Sequence, residues 1–298
     1  MQSTRNSSTL EYLRKIIEVG ERWAKEAKSK LVDFIKTRGG ELVISYSSLG
    51  YSPASILYWL ITTANPEKTP VLQDTDTIAL YRLVYRKSST VIVFTTRGDD
   101  PSLVRIADAS RWTGGNILVV TPKPPDIVVE MLRNTPLITV PGGPNEILLS
   151  FYESLLSLYT GVDLGVSIGK RLERLKEFIN EGYGVTVEEL LEKYRNIINN
   201  VKEEEHIIIT STKFLEPASY ILLSVLMEKN VKASFVPISL LKPKRNNVIL
   251  IVSSSVEESL LKEKKMKALM SGAKVYELTF NVDPLELPIY LHILALSI

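Results

Sequence analysis

Apolar residues recur at helical intervals early in the chain: Leu10, Leu13, Ile16, Ile17, then Trp23, Ala24, Ala27, Leu31, Phe34 and Ile35, with charged residues between them. This predicts a long amphipathic helix over 10–36, with Gly20 as a candidate break. Arg38-Gly39-Gly40 ends it, and Glu41-Leu42-Val43-Ile44-Ser45-Tyr46 reads as a strand. A Ser/Gly turn and a helix over 53–64 follow. Pro53 suits the first helical position, where its missing N–H has no partner to lose. A helix over 77–86 leads to the strand Val91-Ile92-Val93-Phe94, and a further helix over 101–112 is stopped by Gly114-Gly115. The strand Asn116-Ile117-Leu118-Val119-Val120-Thr121, a short helix over 126–133, a strand over 137–140 and a helix after Gly142-Gly143-Pro144 complete this half.

Residues 166–202 are charged and helical, with Gly182-Tyr183-Gly184 between two helices. After Glu203-Glu204-Glu205 the alternation restarts. Strands are expected over 206–210, 233–237, 247–252 and 274–280, with helices over 217–229, 256–270 and 284–296. The strands are continuous β-branched and aliphatic runs, the pattern of a parallel sheet covered on both faces, so a doubly wound α/β fold is predicted. Each half runs from an apolar strand through small polar residues into a helix with an early proline, which suggests a weak internal duplication.

Composition narrows the chemistry. With 36 basic against 34 acidic side chains, the net charge of +2 marks neither a nucleic-acid binder nor an acidic-lipid binder. No apolar run reaches the roughly 18 residues of a membrane span. The polar N-terminus lacks the apolar core of a signal peptide, so a cytoplasmic location is expected. There is no cysteine, which removes disulfides, thiolate nucleophiles and iron–sulfur ligation. The two histidines, His206 and His292, lie far apart without metal-ligand spacing, so neither a metal nor a cofactor is expected. The phosphate-cradling patterns G-x-x-x-x-G-K-[ST] and G-x-G-x-x-G are absent.

In a parallel sheet, ligands sit outside the carboxyl ends of the strands, facing helix N-termini. Four hydroxyl-rich segments fall there: 45–52, 95–102, 210–215 and 253–255. Hydroxyls and backbone amides at such corners suit a phosphate monoester. The same residues are also ordinary helix caps.

The passage Val91-Ile92-Val93-Phe94-Thr95-Thr96-Arg97-Gly98-Asp99-Asp100-Pro101-Ser102, followed by Gly114-Gly115 and the strand ending in Thr121, resembles the sugar isomerase (SIS) domain. That family has an apolar strand, S-x-S-G-x-[TS], a helix, a Gly-Ala pair and a strand ending in Thr. Ser48-Leu49-Gly50-Tyr51-Ser52 stands where the family has G-x-G-x-S, and Gly142-Gly143-Pro144-Asn145-Glu146 resembles its A-G-x-E helix entry. The closing 288–296 segment resembles the penultimate helix of tandem-SIS proteins. The likeness runs from about residue 41 to the end and is strongest over 91–121.

The resemblance implies two flavodoxin-like, doubly wound parallel-sheet units in tandem with a long N-terminal helix: an arm over 1–40, domains over 41–165 and 205–298, and a helical linker over 166–204. It implies a phosphorylated sugar as partner, with the phosphate on Thr95, Thr96, Arg97, Gly98 and Asp100, and with Ser47, Ser48 and Ser52 near the sugar. Glu228 would shuttle a proton between C1 and C2. A long helix of this kind packs across a partner subunit, so a homodimer is expected.

The departures matter as much. Thr95, Arg97 and Asp100 replace the family's loop hydroxyls, and an aspartate repels a phosphate dianion unless Arg97 neutralises it or it caps the helix. Arg97 would either fork onto phosphate or pair with Asp99 or Asp100; both readings stand. The ring-opening histidine is missing, with Leu240-Leu241-Lys242-Pro243-Lys244-Arg245 in its region, and so is the family's C-terminal lysine extension. Glu146 reads equally as a first-turn carboxylate matched to the helix dipole. Two functions remain open: a phosphosugar-binding protein that isomerises an aldose–ketose pair or deaminates an aminosugar phosphate through an enediol(amine) shuttle, or a degenerate, non-catalytic member with a regulatory or oligomerisation role.

Overall fold

A computed structural model describes residues 2–65, 68–165 and 169–298, with side chains from Thr9 onward. The residues sort into two compact units, Lys15–Tyr183 and Met1–Arg14 with Gly184–Ile298. The sequence-predicted helical region from Val166 begins on residues that lie outside the described ones.

The first unit is built on a five-stranded, all-parallel sheet in the order β2-β1-β3-β4-β5. Its strands are β1 (Leu42–Ser47), β2 (Val71–Asp74), β3 (Thr90–Thr95), β4 (Asn116–Pro122) and β5 (Leu137–Val140). Every position of β3 is buried, which explains why its sequence is an unbroken apolar run rather than an alternation. The helices are α1 (Gln2–Thr37), whose residues up to Arg14 sort with the second unit, α2 (Tyr51–Ala64), the single turn α3 (Thr75–Thr77), α4 (Pro101–Trp112), α5 (Asp126–Leu132), α6 (Glu146–Leu164) and α7 (Lys170–Glu181). One sheet face packs Val43, Val91, Val93 and Val119 against Leu103, Ile106 and Ala107 of α4.

The structure departs from the expected elements at several places. The helix expected over 77–86 is α3 followed by a π turn (Ile78–Arg82) and a 3-10 turn (Leu83–Tyr85). The edge strand β2 went unread because it has four half-exposed residues and no apolar run. α1 does not break at Gly20. A Cβ there would lie 2.5 Å from Tyr152 Cδ1, so this glycine lets α1 approach α6 closely. Gly20→Ala is therefore expected to lose roughly 1 kcal/mol net, because overpacking of about 1–3 kcal/mol outweighs a gain of about 1 kcal/mol in helix propensity. Urea denaturation reads the sign, and a net gain would contradict the packing.

α2 starts at Tyr51, after a 3-10 turn at Ser48–Gly50, so Pro53 is its third residue rather than its first. Without an N–H, Pro53 leaves the Leu49 carbonyl free of its helical donor. The Ser150 hydroxyl of α6 donates to that carbonyl at 2.9 Å.

The second unit holds a four-stranded parallel sheet in the order β7-β6-β8-β9. Its strands are β6 (His206–Thr210), β7 (Lys232–Phe235), β8 (Val248–Ser254) and β9 (Lys274–Phe280). Its helices are α8 (Val187–Lys202), α9 (Glu216–Glu228), α10 (Glu258–Met270) and α11 (Leu287–Leu296). This strand order repeats that of the first four strands in the other sheet. His292 of α11 is fully buried, its Nδ1 lies 2.7 Å from the Pro288 carbonyl, and burial pushes its pKa down to about 4. It is a neutral structural imidazole at neutral pH. His206 is exposed at the start of β6.

Candidate functional site at the rim of the five-stranded sheet

Ser47 and Thr95 are the last residues of neighbouring strands and pair in register. The Ser47 hydroxyl lies 2.8 Å from Thr95 Oγ1, which also accepts from the Arg97 amide at 3.2 Å. One residue on, Ser48 takes a left-handed backbone with φ 50°, a costly conformation for a residue with a side chain. Gly50 then passes so close to β3 that a Cβ would sit 2.2 Å from the Phe94 carbonyl oxygen. Gly98 packs the next loop against the backbone of Lys123 and Pro124.

Thr96 links three segments. Its Oγ1 accepts from the Leu49 amide at 3.4 Å and donates to Glu146 Oε2 at 2.7 Å. Glu146 opens α6, whose N-cap Asn145 accepts from the Leu148 amide at 2.9 Å. The structure thus brings together Ser47, Thr95, Thr96, Arg97, Gly98 and Asp100, and adds Glu146.

Asp100 is the N-cap of α4, taking the Ser102 amide at 2.9 Å. Burial raises its pKa, but hydrogen bonds from Ser47 and the Ser102 amide, with the charge of Arg97, outweigh this and hold it below the usual carboxylate range. It is an anion at neutral pH and occupies the Ser102 amide. Arg97 reaches Asp99 at 3.3 Å, with both side chains more than half exposed. An exposed pair of this kind is weak and does not fill the loop. Besides Asp99, the charges of Glu146 and Asp100 also favour this guanidinium's charged form.

Three rim hydroxyls, Ser52 Oγ in the first turn of α2, Ser102 Oγ in the first turn of α4 and Thr121 Oγ1 near the end of β4, are buried and have no hydrogen-bond partner. Deeper in α6, Glu153 is fully buried with both carboxylate oxygens unpartnered. Desolvation, then the charge of Glu146, raises its pKa well above its ordinary value, so it holds its proton. Ser157 and Thr160 continue its helical stripe, also buried and unpartnered. The spacing Glu146, Ser150, Glu153, Ser157, Thr160 is the one sequence signal that this face of α6 is polar.

Two of the four hydroxylated corners belong to each sheet. Those of the four-stranded sheet are satisfied mainly by protein groups. Glu257 accepts from Thr212 Oγ1 at 2.6 Å and from the Ser254 amide at 3.1 Å, while Ser254 Oγ donates to the Val282 carbonyl at 2.7 Å. Capping accounts for these contacts, while Thr210 Oγ1 at the end of β6 is buried and has no hydrogen-bond partner. Glu228 is the exposed last residue of α9, in the other unit from the Ser47 and Thr95 loops.

No protein-family model and no curated protein sequence matches the chain. Solved structures do match in fold. The C-terminal domain of glucosamine-fructose-6-phosphate aminotransferase from Francisella tularensis superposes with a TM-score of 0.67 at 12% identity, over 96% of this chain and 94% of that one. Glucosamine-6-phosphate deaminase from Thermotoga maritima gives 0.65 at 11%, over 96% and 92%. Tagatose-6-phosphate ketose/aldose isomerase from Escherichia coli gives 0.64 at 11%, over 97% and 91%. The chain shares its fold with these proteins along almost its whole length.

Proposed function

We propose that this chain binds a phosphorylated sugar at the rim of its five-stranded sheet. The observation that carries the reading is the joining of Ser47, Thr95 and Thr96 at the carboxyl ends of β1 and β3, beside the buried, unpartnered hydroxyls of Ser52 and Ser102 in the first turns of α2 and α4, where parallel sheets take ligands. Ser47, Ser48, Thr95 and Thr96 would add sugar contacts, and Arg97 with the amides around Gly98 would hold the phosphate. Proteins of the same fold that are named for glucosamine-6-phosphate and tagatose-6-phosphate support this ligand class. A homodimer and a cytoplasmic location belong to the same reading.

Catalysis is the weaker half. Neither histidine is an acid–base candidate at the rim: His292 is committed to a helix carbonyl and His206 opens a strand of the other sheet. The carboxylates of Asp100 and Glu146 oppose a dianion. These features favour a binding or sensing role over turnover, with Glu228 the base to test if turnover occurs.

Thermal-shift titration with fructose 6-phosphate, glucosamine 6-phosphate and unphosphorylated fructose tests the reading. Stabilisation by either phosphate ester and not by fructose is expected, and it should be lost in Thr95→Val. No stabilisation at millimolar ester would overturn it. An isomerase assay alongside, with Glu228→Gln as control, separates binding from catalysis.

A further inference from the structure

Residues 78–85 are apolar on every side, yet they lie at the surface of the first unit. Ile78, Ala79 and Leu83 enter the core beneath, while Leu80, Tyr81, Val84 and Tyr85 turn outward. The one charged residue, Arg82, is held by both carboxylate oxygens of Glu41, at 3.1 Å from Nε. A helical segment that is apolar all round normally lies inside a core. Here the outer half has no cover among the described residues: Tyr81 is 72% exposed and Tyr85 81%. Trp112, the last residue of α4, is 90% exposed and joins the same face. The Ser88 amide donates to the Thr113 carbonyl at 3.3 Å, so the chain leaving Tyr85 runs beside Trp112.

The size and charge of this face indicate what covers it. At about 150–250 Å² per aromatic side chain, the three rings with the half-exposed Leu80 and Val84 present roughly 600 Å² of apolar surface. This is at the top of the range for the largest patch on a monomer, and it is most of the ~800 Å² that each partner gives to a stable interface. Tyrosine and tryptophan are also the residues on which interface energy concentrates. The flanks carry both signs in matched pairs, Arg105–Asp76 at 2.7 Å and Arg111–Asp108 at 2.8 Å. A flank of one sign would repel its own copy across a two-fold axis, and paired charges do not.

We infer that this face is the interface between two copies of the chain, joined about a two-fold axis with Tyr81, Tyr85 and Trp112 at its centre. The inference rests on the homodimer of the reading above and deepens it, placing the contact on 80–85 and Trp112 rather than on α1. It is independent of the sugar site. The π turn that breaks the helical period of 78–82 is what sets apolar side chains on the outer side as well as the inner.

Sedimentation velocity of the full chain over a series of micromolar concentrations tests it. The parent is expected to be a dimer. Tyr85→Glu and Trp112→Glu should each raise the dissociation constant roughly tenfold or more, and the double variant should be monomeric. Their far-UV circular dichroism should match the parent's, because both side chains stand outside the core. Tyr12→Glu, which puts a charge on the exposed side of α1 instead, should leave the dimer intact. The chain has no cysteine, so Val84→Cys supplies a single thiol in the patch, and its alkylation should slow severalfold once the chain is concentrated enough to dimerise. A monomeric parent would overturn both the homodimer and this face. A dimer that survives the double substitution, that is split by Tyr12→Glu, or that leaves Val84→Cys equally reactive at every concentration would overturn the face alone. None of these results bears on the sugar site, which thermal shift with fructose 6-phosphate scores separately.

Discussion

Glu153→Gln should flatten the fall of stability with rising pH. The native state keeps Glu153 protonated because its carboxyl is fully buried, unpartnered and close to the charge of Glu146. The unfolded chain releases that proton near the group's ordinary value of 4.5. Between those two pKa values the native state binds one proton more, so stability falls by about 1.4 kcal/mol per pH unit. It is fully present below the unfolded pKa and is lost as pH rises toward the folded one. Glutamine keeps the shape and carries no titration. Urea midpoints from acidic to mildly alkaline pH should diverge, with the variant gaining on the parent as pH rises. Parallel curves would mean that Glu153 is solvated or paired in solution.

Asp100→Thr should strengthen binding of fructose 6-phosphate by tenfold or more. Asp100 is ionised at neutral pH and holds the Ser102 amide at the start of α4. It therefore both repels a phosphate and occupies one of its donors. Like charges about 4 Å apart cost about 1–4 kcal/mol, from bulk water to a protein surface. Threonine remains a competent N-cap, so the helix should keep most of its stability. Isothermal titration of parent and variant reads the change; equal or weaker affinity in the variant would show that the phosphate does not approach α4.

The parts of the fold legible in the sequence are those where burial is extreme. β3, α4 and β4 follow from apolar runs punctuated by Pro101 and by Gly114-Gly115. β2 and the irregular 75–85 segment were not legible, because a half-exposed edge strand and a π turn leave no period in the sequence. At the site, the hydroxyls of Ser47, Thr95 and Thr96 were readable from their place after strands. The roles of Ser150 and Glu153 were not. Ser150 serves a carbonyl that Pro53 vacates from another helix. Glu153 sits on α6, buried along nearly its whole length, where no polar face marks a solvent side. Similar strand-end sequences arise in both sheets, and only the sheet order shows that two of the four hydroxylated segments belong to each.

Hydrogen exchange with and without fructose 6-phosphate tests the central claim most directly, because it reports where a ligand orders the backbone. Slowed exchange is predicted at 47–52 and 95–102, with 210–215 and 253–257 unchanged. Protection confined to the four-stranded sheet, or none anywhere under saturating ester, would contradict the assignment of the ligand to the five-stranded rim.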